Sequence, residues 1–217
     1  MSSTSSDHDP ARSRKERERE QHRLEALHAA ELLLERRVYH EITVQEIAAE
    51  GEFSVGYIYK LFENKEDVYA SLLRHRCEEL EQVVATQSTR RGPVDERITA
   101  VVRGVSNWFK NNPAFASNYL GTVLTLARSR ETIAADLTRH EAALRERLDA
   151  LFKEGMEQGV LAPGDPSVIT ATLRALLWGF VGQNLMSWFD PAKKEKWTDY
   201  APIIVRLITT TFAPARA

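Results

Sequence analysis

Apolar residues recur three and four positions apart along this chain from Leu24 to Phe212, the spacing of a buried helical stripe, and nowhere alternate as a half-buried strand does. The pattern predicts an all-α fold. Its first segments are short. Leu24, Leu27, Ala30 and Leu34 mark a helix over about 23–36. Thr43 and Glu46 have the spacing of a capping box, so a second helix begins at Thr43, buries Val44, Ile47 and Ala48, and stops at Gly51. Phe53 follows, placed to plug the space before the next helix, which Ser54 caps; Asn64 caps the one after. From Lys65 the helices lengthen. Val68, Leu72, Leu73, Leu80 and Val83 carry one to about residue 87, and Gly92-Pro93 breaks it. Further helices are expected over 94–110, 113–128, 131–155, 166–188 and 197–212. The organisation is a flexible tail over 1–22, a small head over 23–68 and a helical body over 69–213.

The segment after Ser54 separates into two faces when residues step by about 100°. With Ile58 at the centre of the inner face, Val55, Leu61 and Phe62 fall within roughly 60° of it. Gly56, Tyr57, Tyr59 and Lys60 face outward. A solvent-facing helix usually carries Glu, Lys and Ala. Here a glycine admits close backbone approach, and tyrosine and lysine can hydrogen-bond phosphate oxygens. Lys65 sits on a helix N-terminus, where free N–H groups already favour a phosphate. Two short helices joined by a tight turn in this way read as a helix-turn-helix that lays its second helix in the major groove.

Charge complicates that picture. The whole chain has a formal charge of −2, and residues 1–65 hold ten Lys and Arg against thirteen Asp and Glu. A uniformly basic domain is therefore excluded, and a positive face must be local, from Lys60, Lys65 and the arginines before the first helix. The run at 11–20 alternates in sign. It reads either as a solvated helical extension with Glu/Arg pairs, or as an arm whose Arg12, Arg14, Lys15, Arg17 and Arg19 reach phosphates or the minor groove.

From Arg23 to Val68 the segments LEALHAAELLLE, ITVQEIAAE and FSVGYIYKLFENKEDV resemble the DNA-binding domain of the TetR (tetracycline repressor) family of bacterial transcriptional regulators. The S-x-G-x-[LI]-Y-x-x-F-x-x-K core from Ser54 to Lys65 carries the resemblance. Two features depart from it. Gly51-Glu52-Phe53 stands where the family's turn usually reads Ala-Gly-Val, and Tyr57 occupies a place usually held by a small residue. The resemblance implies double-stranded operator DNA as partner. Val55, Gly56 and Tyr57 would lie near base edges, with Gln45 helping from the preceding helix. Tyr59, Lys60 and Lys65 would hold phosphates, and Thr43 and Ser54, at the helix starts, complete the DNA-binding set. It also implies a homodimer through the last two helices, paired with their symmetry mates, and a response to ligand through the tilt of the helix that starts at Lys65.

The body supplies candidates for that ligand. A cavity for a small apolar effector is expected among Trp108, Phe109, Phe115, Tyr119, Trp178 and Asn184. Each aromatic also suits ordinary core. Asn184 is a polar amide in a helix apolar almost all round, so it must find a partner in the fold or hold something. Arg174, in the same helix, must likewise find a partner or hold something, an acid across a dimer being one such partner. Catalytic and metal chemistry have no support. G-x-S-x-G, P-loop and H-E-x-x-H motifs are missing, and the six histidines have no metal-ligand spacing. His140 and Glu141 are adjacent and so are not expected to share a face. No cofactor is implied. The lone cysteine, Cys77, reads as a small partly buried residue in a reducing cytoplasm. Without a signal-peptide core or a membrane-length apolar run, the chain is expected to be soluble and cytoplasmic. These readings converge on a ligand-responsive regulator, most simply a repressor released from a palindromic operator. Two rivals remain: an all-α enzyme or small-molecule binder without DNA specificity, and a DNA-binding regulator controlled by a protein partner.

Overall fold

The computed structural model describes residues 10–113, 115–116, 131–187 and 197–215. The chain divides into two compact units, Met1–Leu72 and Leu73–Ala217. Among the described residues all regular structure is helical.

The first unit holds α1 (Pro10–Leu34), a 3-10 turn (Tyr39–Glu41), α2 (Val44–Glu50), α3 (Val55–Leu61) and the start of α4 (Lys65–Ser88). The caps form where the sequence places them. The Thr43 hydroxyl accepts from the Glu46 N–H at 3.3 Å, and the Glu46 carboxylate accepts from the Thr43 N–H at 2.9 Å. Ser54 Oγ accepts from the Tyr57 N–H at 3.2 Å, and Asn64 Oδ1 from the Asp67 N–H at 2.9 Å. Each cap satisfies a donor that helix geometry leaves free, which fixes where the short helices begin. α1 packs on α2 and α3, and Ala26, Leu27, Ala30, Leu33 and Leu34 of α1 are buried together with Ile47, Ala48, Ile58 and Leu61 of the other two. Leu24 is off this face and exposed. Residues 10–22, expected as a flexible tail, form the first half of α1. Arg14 pairs with Glu18 one turn on at 3.0 Å, as the helical-extension reading of 11–20 requires.

The departure at the turn has a packing cause. A Cβ on Gly51 would lie 2.9 Å from Phe53 Cδ2 and 3.2 Å from Ala29 Cβ, so position 51 has no room for a side chain. Its φ of −88° makes no demand for glycine. The left-handed conformation falls on Glu52 instead, at φ 57°. A non-glycine residue there is strained, so Glu52→Gly should stabilise the protein by about 0.5–1 kcal/mol after the added chain entropy of glycine. Thermal unfolding measures this, and an unchanged or lower midpoint would refute the strain assignment.

The second unit contains the rest of α4, α5 (Val94–Asn111), α6 (Glu131–Glu157), α7 (Pro166–Ser187) and α8 (Ala201–Thr211). The helix expected over 113–128 lies mostly outside the described residues; within it Phe115 and Ala116 are described and buried. α7 packs on α6 and α8, and α5 on α6 and α8. Ile98, Val102, Phe152, Leu161, Leu173, Ile204 and Ile208 form the centre of this core. Arg97 ties the layers by donating to Ser88 O at 2.8 Å and to Glu154 at 2.5 Å. On α7 the face carrying Ile169, Leu173, Leu177 and Val181 is buried, while Val168, Ala171, Ala175 and Gly179 are exposed. On α8, Ile203 and Leu207 are exposed beside buried Ile204 and Ile208.

Candidate nucleic-acid interface and internal cavity

α3 is two turns long and held from behind by α1. Arg23 donates to Leu61 O at 2.5 Å and Ser71 Oγ at 3.0 Å, with its guanidinium 4.4 Å from the Phe62 ring centroid. Arg19 reaches Lys60 O at 3.4 Å. These cations meet the carbonyls at the helix C-terminus, where the dipole favours positive charge. Arg19, which the arm reading of 11–20 would send to DNA, contacts the fold instead.

Of the nine residues expected to meet DNA, Thr43, Gln45, Ser54, Gly56, Tyr59 and Lys60 are exposed. Tyr59 presents 52% of its surface. Space around Gly56 is open: a Cβ built there meets no atom within 4 Å. Val55, Tyr57 and Lys65 are half-buried. Tyr57 turns back toward α1, its hydroxyl 2.7 Å from His22 Nδ1. Lys65 is tied inward as well. Its Nζ donates to Ile42 O at 2.9 Å and to Tyr39 O and His40 O at 3.4 Å, and lies 4.7 Å from the Tyr39 ring centroid. The ammonium expected to hold a phosphate instead anchors the start of α4 to the chain entering α2.

Arg37 braces α2 from outside through a 2.7 Å contact with Glu46. That guanidinium first, then the Thr43 N–H and hydroxyl, hold the Glu46 carboxyl down to about 2 from its ordinary 4.5. A depressed folded-state pKa contributes stability that is complete above pH 4.5 and lost as pH falls toward about 2. Glu46→Gln should lower stability at neutral pH and flatten the acid limb across that window. An unchanged acid limb in unfolding titrations would show that the bracing is not formed.

The second unit holds a partly open cavity of about 60 Å³. Leu80 and Val84 of α4, Val105 and Phe109 of α5, Leu144 and Leu148 of α6, and Leu177 and Trp178 of α7 give it apolar walls, with Phe115 beside them. Phe109, Phe115 and Trp178 thus lie where the sequence suggests. Trp108 stands behind, edge-on to Phe109 at 5.2 Å and Phe115 at 5.1 Å, and does not line it. Tyr119 lies outside the described residues. Asn184 is buried away from this cavity in a two-bond clamp: it donates to Thr198 O at 3.1 Å and accepts from Thr198 N–H at 2.8 Å. Its amide holds the chain entering α8, which answers why a polar residue sits in that helix.

Besides its apolar walls, the lining carries four more reactive or polar residues that were not anticipated as ligand contacts: Cys77, His140, Glu141 and Arg174. His140 Nδ1 contacts Glu81 of α4, and Glu141 pairs with Arg174 of α7. Arg174 therefore finds its acid in its own chain, not across a dimer. Although adjacent, His140 and Glu141 both line the cavity while tying α6 to different helices. The signal was present in the stripe Leu137, Glu141, Leu144, Leu148, with His140 three after Leu137: two polar groups inside an inward-facing helical pattern. Burial pushes the Cys77 thiol up to about 12, and Glu141, Glu81 and Glu78 add to the shift. The thiol stays protonated at neutral pH and is a poor nucleophile. Among the described residues, no helix is long and apolar enough to cross a membrane.

Residues 26–72 match the sequence profile of bacterial regulatory proteins of the tetR family. A fatty acid metabolism regulator protein of Bacillus subtilis (strain 168) is 21% identical over 150 residues, covering 69% of this chain and 74% of that protein. The crystal structure of a TetR transcription regulator from Haloarcula marismortui superposes with a TM-score of 0.74 at 18% identity, over 89% of this chain and 98% of that one. That of the transcriptional regulator FadR from Bacillus subtilis in complex with stearoyl-CoA gives 0.67 at 19% identity, over 86% and 97%. At these identities the structural likeness is one of fold.

Proposed function

Because the chain belongs to the tetR family of bacterial regulatory proteins, and is thus a DNA-binding transcription regulator, we propose that it is a homodimeric repressor released from a palindromic operator by a long-chain acyl thioester. The observation that carries the DNA side is Gly56. Glycine is a poor helix former even in the first turn of α3, and here no neighbour requires it, so a close approach from outside explains its presence. Exposed Tyr59 and Lys60 flank that bare patch as phosphate contacts, and Gln45 reads from α2.

For the dimer, the support is the apolar face left uncovered on α7 and α8. Val168, Ala171, Ala175 and Gly179, with Ile203 and Leu207, form a patch whose small residues let a second pair of helices come close. Two heads related by a two-fold axis would read half-sites one or more DNA turns apart.

For the ligand, the support is an apolar cavity with a polar edge, together with relatives concerned with fatty acids, one of them bound to stearoyl-CoA. A cavity of about 60 Å³ is too small for an acyl chain, since sites for drug-sized ligands run to roughly 300–1,000 Å³. Ligand entry must part α4, α6 and α7. The ligand then favours the wider state by its differential affinity, and α4, which lines the cavity with Leu80 and Val84, follows the recognition helix directly in the chain. Titrating operator-bound protein with stearoyl-CoA tests this. Release at stoichiometric ligand is expected, whereas an operator complex indifferent to acyl thioesters would remove the effector assignment.

A further inference from the structure

We infer that His22 of α1 is a specificity-determining residue for DNA reading, acting through Tyr57 of α3 by holding its ring back from the groove-facing surface. The inference rests on the DNA-reading function proposed above. By helical phase, Tyr57 belongs with Gly56 and Lys60 on the outer face. Yet it is half-buried, whereas Tyr59, two residues on, is exposed. The difference lies in what its ring touches. Its hydroxyl is 2.7 Å from His22 Nδ1, and the two rings meet edge to face with centroids 5.5 Å apart. Phe53 completes the cluster, stacked on Tyr57 at 5.7 Å and edge-on to His22 at 5.8 Å.

The cluster is closed from behind. Phe53 packs so tightly over Gly51 that a Cβ there would lie 2.9 Å from its ring, so the phenylalanine cannot retreat to let Tyr57 settle elsewhere. The hydrogen bond does not depend on tautomer: a bare Nδ1 accepts from the phenol, and a protonated Nδ1 donates to its oxygen. With the phenol engaged, the outward part of the first turn of α3 offers DNA only Ser54, Val55 and the bare backbone at Gly56. Without His22, the ring is free to turn toward the groove. A phenol can both donate and accept at a base edge, so its release changes which base pair is preferred. His22 is thus a positioning residue whose own side chain need not touch DNA.

The test is selection of bound sites from a randomised operator library by the full-length protein. Wild type, His22→Ala, His22→Asn, Tyr57→Phe and the double variant His22→Ala/Tyr57→Phe are compared, with thermal unfolding to verify that each is folded. One neutral hydrogen bond corresponds to roughly a fivefold change in relative preference. His22→Ala should shift preference by about that factor at the base pair facing the first turn of α3, leaving other positions unchanged. Tyr57→Phe has no hydroxyl to offer a base edge, so the double variant should show the preference of Tyr57→Phe alone. His22→Asn, whose amide oxygen can replace Nδ1 as acceptor, should retain the wild-type preference. Uniformly weaker binding by folded His22→Ala with the wild-type preference intact would overturn the inference alone. So would additive shifts in the double variant. Failure of the wild type to enrich any site would overturn the DNA-reading function itself, and this inference with it.

Discussion

Gly56→Ala should stabilise the protein and weaken its operator complex, two effects of opposite sign from one methyl group. In the free protein the substitution has only a benefit. Position 56 lies in the first turn of α3, no atom lies within 4 Å of the added Cβ, and the preference for alanine over glycine is at most the helix-interior value of about 0.8–1.0 kcal/mol. In the complex the same methyl stands between α3 and the groove. Larger residues should extend the trend, with Gly56→Leu still folded and its operator affinity lower than that of the alanine variant by roughly tenfold, the equivalent of about 1.4 kcal/mol. Thermal unfolding and operator titration of the same preparations read both effects. If affinity rises or holds as stability rises, α3 does not approach the DNA backbone at this position.

Lys65→Ala should act on the fold more than on phosphate. The Nζ donates to three backbone carbonyls and lies against the Tyr39 ring, so its removal frees acceptors at the entry to α2 and detaches the start of α4. Hydrogen bonds to charged groups contribute about 1.5–3 kcal/mol, and a cation over an aromatic face adds about 0.5–1 kcal/mol at partly exposed sites. A loss of about 2–3 kcal/mol lowers the midpoint of a domain this small by about 10 °C or more. A phosphate contact would behave differently. It predicts unaltered unfolding, weaker binding to every sequence and a salt slope shallower by about one unit. Lys60→Ala, at an exposed position, should follow that second pattern, so the two lysines calibrate each other.

What was legible from the sequence was local. Thr43 with Glu46, Ser54 and Asn64 cap helices within three residues of themselves, and their partners can be read off the chain. Apolar aromatics such as Phe109 and Trp178 could be assigned to the interior because burial follows from side-chain type and helical phase. What was not legible depended on long side chains finding distant partners. Tyr57 faces outward by phase but meets a histidine 35 residues earlier. Lys65 reaches carbonyls more than 20 residues back, and Arg174 finds Glu141, 33 residues before it. Asn184 posed its question correctly, but its partner, Thr198, lies 14 residues further on, where no periodicity places it. The turn at Gly51 is a mixed case. Its glycine marks a real constraint, yet the constraint is the Phe53 ring, and the unusual backbone angle belongs to Glu52.

In the proposed function, this chain reads a palindrome through α3 and releases it when an acyl thioester opens the second unit. The most direct test is retention of genomic DNA fragments by the purified protein, with and without stearoyl-CoA, followed by sequencing of the retained fragments. A shared palindromic site is expected among those fragments, its half-sites separated by whole turns of DNA, and it should leave the retained pool when stearoyl-CoA is added. Retention without a shared sequence, or a palindrome held equally well in the presence of stearoyl-CoA, would contradict the proposed function.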